Sequence, residues 1–291
     1  MSSAPARPTL VFSHANGFPA GTYRQHFELW RAAGWRVEAI DRLGHSERWR
    51  VSSNWPHLRD ELIHFIEGLG CGPVALVGHS LGGFLSLLAA SRRPALVQAL
   101  VMLDAPVLAG WKAHSVHMAK ATGLIRKVSP SKIAIKRREA WESPAAMLAH
   151  FEAKAAFARW APGVLADYIA AGSQPDPQQI AQGHPEGVRL AFDRAIEAHI
   201  YDTLPHHLGG LLSRHPLHCP VSFIAGTQSA EVRQVGLAAT QALINAANRR
   251  HPERPGRLMW LEGSHLYPME RPADTATAVL DLLAAMQAGT H

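Results

Sequence analysis

Along the first hundred residues the apolar positions follow two alternating rhythms. Short apolar or alternating runs, TLVFS (9–13), WRVEAI (35–40), PVALVG (73–78) and ALVMLD (99–104), predict strands. Between them, residues 23–33, 55–68 and 81–92 place apolar side chains three and four apart, which predicts helices packed by one face. Strands alternating with helices imply parallel strands joined by right-handed crossovers. The rhythm stops after Asp104 and resumes at VSFIAG (221–226), followed by a helix over 230–248, a strand RLMWLE (257–262) and a last helix from about 272 to 287. The intervening segment is rich in alanine and amphipathic, as in SPAAMLAHFEAKAAFARW and GVRLAFDRAIEAHIYDTL, and reads as a helical insert. The expected organisation is therefore a core of residues 1–106 and 218–291 with a helical cap over 107–217. Loops at the carboxyl ends of such strands are where open α/β sheets hold ligands, so the cap would lie over the site.

Composition narrows this little. The chain has 291 residues, 47% of them hydrophobic, enough for one large α/β core. The N-terminus MSSAPARP has no apolar leader pattern, and no apolar run is long enough to span a bilayer. Two cysteines, Cys71 and Cys219, make no disulfide framework and no metal-ligand spacing. A soluble, cytoplasmic protein is the expectation. The net charge of +6 comes mostly from arginine and does not by itself indicate nucleic acid. One local feature stands out: Lys112, Lys120, Arg126, Lys127, Lys132, Lys136, Arg137 and Arg138 fall within 105–138 without an acidic residue. Such a run is ordinarily a solvated face, the alternative being a patch for anionic substrates or a membrane surface.

The candidate chemistry begins at VALVGHSLGGF (74–84), where a strand-like run meets a helix-like one through G-H-S-L-G. This is the context of a nucleophile elbow: small residues at Gly78 and Gly82 let strand and helix approach, and Ser80 stands on the sharp turn. The Leu81 N–H, at a helix N-terminus, would face a developing oxyanion. A serine needs a base. His265, in WLEGSHLYPMERP, follows a strand on the same carboxyl edge as Ser80 and comes after it in chain order. The pairs HSVH (114–117) and HH (206–207) lack an H-E-x-x-H or a carboxylate cluster and read as solvated helix-face histidines, so no metal and no cofactor are implied.

Four stretches together, SHANGFPAGTY, DRLGHS, VALVGHSLGG and GSHLYPMERP, resemble the α/β-hydrolase family over about 8–106 and 218–288. The resemblance implies an α/β-hydrolase core, a mostly parallel sheet of about six strands lacking the family's usual N-terminal hairpin, flanked by helices, with a helical cap inserted after the strand ending at Asp104. It implies Ser80 as nucleophile and His265 as base. The second oxyanion donor would come from the HANGFP loop, where the alignment favours the Phe18 N–H over that of Asn16. The family's usual acid position, G-x-x-D after the strand VSFIAG, reads GTQS here, with Ser229 in its place. Two carboxylates can substitute: Asp104, preferred because its strand neighbours that of the nucleophile, and Glu231. A Ser-His dyad supported by Ser229 or water is the third option.

The function implied is hydrolysis of a carboxylic ester, or a related acyl bond, of a small and largely apolar molecule through an acyl-enzyme. Trp111, Trp141, Phe151, Phe157 and Trp160 in the cap would suit apolar groups, although such residues are more often packing. Thioesters, lactones, acyl transfer and carbon–carbon cleavage share the triad, whereas epoxide hydrolysis and dehalogenation use an aspartate where Ser80 stands. A ligand-binding protein with weak catalysis is the reading from another class. The partner expected is a small ester-like substrate, with neither nucleic acid nor a membrane span, and the oligomeric state is not legible.

Overall fold

The computed structural model describes residues 7–108 and 130–287. Its centre is a six-stranded sheet formed by β1 (Thr9–Ser13), β2 (Arg36–Ala39), β3 (Val74–His79), β4 (Val97–Leu103), β8 (Val221–Gly226) and β9 (Leu258–Leu261), in the order β2-β1-β3-β4-β8-β9. Every pairing in it is parallel. The six strands are those that the apolar runs predict, with ends displaced by a residue or two.

Because side chains alternate across a strand, each strand feeds two cores. Ala99, Val101 and Leu103 of β4 face the cluster that holds Phe27 and Trp30 of the helix Arg24–Ala32 and Val279, Leu282 and Leu283 of the helix Pro272–Gln287. Leu100 and Met102 face the opposite cluster, with Leu58 and Leu62 of the helix Pro56–Gly68, Leu85 and Leu88 of the helix Leu81–Arg92, and Ile244 of the helix Ala238–Arg250. The sheet is buried on both faces, as parallel sheets are. The helix Leu81–Arg92 has every residue from Leu81 to Ser91 buried, which explains its nearly continuous apolar sequence.

The order of strands reverses at β1, whose two neighbours are β2 and β3. The crevice beyond the carboxyl ends of β1 and β3 is therefore the sheet's switch point, where ligands bind in open α/β folds.

Two elements depart from the sequence pattern. The helix expected over 230–248 is two helices, Ala230–Val235 and Ala238–Arg250, broken at Gly236 with φ +77°. The chain between β4 and β8 is mainly helical among its described residues, but it also carries a small antiparallel sheet in the order β5-β7-β6, from β5 (Ala140–Trp141), β6 (Ser173–Pro175) and β7 (Val188–Leu190). Strands of two or three residues are too short to leave an alternating signature. Trp141, Phe151 and Trp160 are buried in that region and pack as core, with Phe157 against them. Trp111 lies outside the described residues. Among the described residues no helix is long and apolar enough to cross a membrane.

Candidate active site

Ser80 sits between β3 and the helix Leu81–Arg92 with φ +52° and ψ −114°, a conformation that non-glycine residues rarely adopt. The turn is held by the Ser80 N–H donating to the Leu103 carbonyl at 2.9 Å and the Phe84 N–H donating to the Ser80 carbonyl at 3.2 Å. Its tightness explains the flanking glycines. A Cβ on Gly78 would lie 2.2 Å from the Gly82 carbonyl oxygen, and one on Gly82 would lie 1.9 Å from that of Ser13.

His265 follows β9 on the loop before the short helix Tyr267–Glu270. Its Nε2 lies 3.0 Å from the Ser80 Oγ and its Nδ1 lies 2.6 Å from Asp104 Oδ2. Asp104 follows β4, adopts φ +45°, and its carboxylate is fully buried. Parallel pairing of β4 with β8 brings Gly226 and Ser229 against it: the Gly226 N–H donates to Oδ1 at 2.8 Å and the Ser229 hydroxyl to Oδ2 at 2.5 Å. A buried charge needs this solvation by donors. Ser229 thus donates to the Asp104 carboxylate and also caps the helix Ala230–Val235 by accepting the Val232 N–H. Glu231 is half-exposed, and its Oε2 is 3.6 Å from His265 Nδ1. Of the two carboxylates weighed from the sequence, Asp104 makes the hydrogen bond and Glu231 is a second, looser charge. Burial opposes protonation of His265, but the Asp104 hydrogen bond and the charges of Glu231 and Asp104 outweigh it and hold the pKa above the ordinary imidazole value. Asp104, Glu231 and His265 are also the single cluster of potential metal ligands among the described residues, with His265 Nδ1 hydrogen-bonded to Asp104 at 2.6 Å.

The loop after β1 forms the other wall. The Phe18 N–H donates to the Ala15 carbonyl at 3.1 Å, closing a turn, and the Phe18 ring packs against Trp160 and Tyr168. His14 is fully buried, and its Nε2 accepts the Leu43 N–H at 2.8 Å, tying this loop to the DRLGHS loop. Burial lowers its pKa to about 4, so it stays neutral. The Asn16 amide donates to the Glu197 carbonyl at 3.0 Å, which attaches the loop to the helix Arg194–Asp202.

The basic run divides on inspection. Arg137 is largely buried in an ion pair with Glu197 at 2.7 Å, so it is withdrawn from any solvated patch. Lys132, Lys136 and Arg138 are exposed. Lys112, Lys120, Arg126 and Lys127 lie outside the described residues, as does HSVH. His206 and His207 occupy the loop before the helix Leu208–Arg214 and are not on a helix face.

Two buried side chains beside the site had no role in the sequence analysis. The Tyr23 hydroxyl is 2.7 Å from His79 Nδ1, and His79 Nε2 is 2.9 Å from the His265 carbonyl oxygen. Their only sequence signal is an aromatic residue seven positions after Asn16 and the histidine inside the elbow.

This sheet and this line of serine, histidine and aspartate define a hydrolase-type α/β protein. The chain belongs to the alpha/beta hydrolase family, whose profile matches residues 10–278. Among curated proteins it is similar to the monoglyceride lipase of Mus musculus, 32% identical over 130 residues that cover 42% of this chain and 43% of the lipase. It is also similar to lipase LipV of Mycobacterium tuberculosis, 37% identical over 76 residues covering 24% and 28% of the two chains. These matches span less than half the length of either relative. Among solved structures, E-2-(acetamidomethylene)succinate hydrolase superposes with a TM-score of 0.68 at 20% identity, covering 96% of this chain and 92% of that one. A thioesterase domain from the curacin biosynthetic pathway superposes with 0.64 at 17%, covering 96% and 92%. Epoxide hydrolase A from Mycobacterium thermoresistibile gives 0.61 at 17%, covering 97% and 92%. These structural matches share the fold, and the family is one of hydrolases.

Proposed function

We propose that the chain is a serine hydrolase that cleaves a carboxylic ester, or a related acyl bond, of a small and largely apolar substrate. The observation that carries this reading is the hydrogen-bonded line Ser80–His265–Asp104 at the switch point of the sheet. Asp104 accepts the Nδ1 proton, so Nε2 is left as the acceptor of the Ser80 hydroxyl proton. Ser80 Oγ attacks the acyl carbon while His265 takes that proton, and the carbonyl oxygen becomes an oxyanion. The Leu81 N–H at the helix N-terminus and an N–H of the loop after β1, that of Phe18 or, as the alternative, that of Asn16, receive this charge. His265 then returns the proton to the leaving alcohol oxygen, and the acyl-enzyme forms. Water deprotonated by the same imidazole releases the acid and restores Ser80.

Residues 107–217 act as a cap in this reading, and the apolar preference is supported by Phe18, which joins the loop of Asn16 to Trp160 and Tyr168. The relatives named as lipases support ester chemistry, and a serine at the elbow argues against epoxide opening here. Hydrolysis of p-nitrophenyl esters from acetate to laurate tests the reading. The wild type is expected to turn over one or more of them, with Ser80→Ala slower by about 10³-fold or more. Equal rates for the two proteins would refute it.

A further inference from the structure

We propose that Tyr23 and His79 form a buried positioning relay that fixes the His265 loop relative to the oxyanion loop and the nucleophile elbow. This rests on the serine-hydrolase reading above. The relay answers a problem set by the topology. His79 ends β3 and His265 follows β9, and two strands, β4 and β8, lie between them. At about 4.8 Å per strand the His265 loop must come back across about 14 Å of sheet to reach Ser80. A tie between this loop and the elbow holds it there.

The tie is a line of three hydrogen bonds. The Ala15 N–H donates to the Tyr23 hydroxyl oxygen at 3.3 Å, the hydroxyl lies 2.7 Å from His79 Nδ1, and His79 Nε2 lies 2.9 Å from the His265 carbonyl oxygen. Tyr23 and His79 are fully buried. The carbonyl of His265 can only accept, so Nε2 carries a proton. In a neutral ring Nδ1 then accepts, and the Tyr23 hydroxyl, already an acceptor from Ala15, supplies its own proton. A charged His79 would donate from both nitrogens and strand the buried Tyr23 proton without an acceptor. Burial first, and the neighbouring His265 second, lower the pKa of His79 well below the ordinary value. The two imidazoles are 5.1 Å apart, so the transient charge on His265 during turnover makes a second charge still less favourable.

The Tyr23 proton and the His265 carbonyl therefore select the same tautomer of His79, Nε2–H. Without the hydroxyl the carbonyl keeps the proton on Nε2, but Nδ1 is left a buried acceptor with no donor and the ring is no longer held at that end. The loop of His265 then loses its fixed tie, and the bond from His265 Nε2 to Ser80 lengthens. Tyr23 and His79 touch no reacting atom in this scheme and act through His265.

The test is Tyr23→Phe, which keeps the ring tilted against that of Phe12 at 4.5 Å between centroids and removes the hydroxyl. With the best p-nitrophenyl ester, kcat is expected to fall about 10- to 100-fold with KM within about threefold. In parallel, ring ¹⁵N shifts of labelled histidine report His79, expected as the Nε2–H tautomer in both proteins, with the Nδ1 resonance moving in the variant as it loses its hydrogen bond. An Nδ1–H tautomer in the wild type overturns the proposal whether or not the variant folds. So does an unchanged kcat, or a fall in kcat with the Nδ1 resonance unmoved, which would make Tyr23 a packing residue. Ser80→Ala in the same assay separates the two readings. If it retains wild-type turnover, the serine-hydrolase reading fails; if it is inactive while Tyr23→Phe equals wild type, only the relay fails.

Discussion

Asp104→Asn tests the assignment of the acid most sharply. The carboxylate accepts on both oxygens: Oδ1 from the Gly226 N–H at 2.8 Å, and Oδ2 from Ser229 at 2.5 Å and His265 Nδ1 at 2.6 Å. Asparagine has one acceptor oxygen for these sites. Keeping it on Gly226 places the amide NH₂ against His265, so Nδ1 becomes the acceptor and the imidazole proton moves to Nε2. That nitrogen then donates to Ser80 and cannot take its proton. A triad whose imidazole is held in the wrong tautomer loses about 10⁴-fold in kcat, equivalent to about 5 kcal/mol of barrier. Glu231 cannot replace the lost acceptor, since it stands 3.6 Å from Nδ1 with its side chain half in water and is screened there. Glu231→Gln alone is therefore expected to lower kcat by less than about tenfold, and the double variant to fall only a few-fold below Asp104→Asn. The assay is initial-rate hydrolysis of the best p-nitrophenyl ester, with thermal melts to establish that each variant is folded. A loss of less than about tenfold in Asp104→Asn, or a greater loss in Glu231→Gln, would refute the assignment.

Three further outcomes follow from local physics. Activity requires neutral His265, so kcat/KM falls as pH drops through a pKa held above the ordinary imidazole value; Glu231→Gln removes a negative charge that favours the imidazolium, and the acidic limb moves to lower pH, an unmoved limb contradicting this. Burial pushes Glu61 up to about 7 against the opposing Gly44 N–H; its protonated form fits the fold best, so stability is complete below the unfolded value of 4.5 and declines as pH rises toward 7. Glu61→Gln is expected to be more stable than wild type by on the order of 1 kcal/mol at pH 8 and equal to it at pH 4, as read from urea melts, and an equal gain at both pH values would contradict the cause. Gly82→Ala puts a methyl 1.9 Å from the Ser13 carbonyl oxygen and is expected to cost more than about 3 kcal/mol or to prevent folding, whereas Gly209→Ala, with open space around it, is tolerated. A well-folded Gly82→Ala protein would refute the tight elbow.

What was legible in the sequence is what local pattern encodes. The four inner strands β1, β3, β4 and β8 are buried on both faces and leave continuous apolar runs, and the elbow is marked by glycines whose absent side chains make room for Ser13 and for each other. Ser80 and His265 could be named because each follows a strand whose carboxyl end faces the same way. For the acid, the sequence places Asp104 ahead of Glu231 and of a dyad only by strand neighbourhood, because the contact depends on how β4 pairs with β8, residues more than a hundred positions apart. The loop after β1 carries a turn in which the Phe18 N–H closes onto the Ala15 carbonyl, a detail no residue type announces. Tyr23 and His79 are not legible in the sequence, since a tyrosine and a histidine carry no periodic signal and acquire meaning only when the loop after β1, the end of β3 and the His265 loop meet. The small sheet of β5, β6 and β7 escaped because its strands are shorter than one full alternation.

The central claim is that Ser80 is the nucleophile, and covalent labelling tests it most directly. Wild-type protein treated with a fluorophosphonate and digested for tandem mass spectrometry is expected to carry one adduct, on the Ser80 hydroxyl, with labelling abolished in Ser80→Ala and slowed in His265→Ala. No adduct, or an adduct on another residue that persists in Ser80→Ala, would contradict the account.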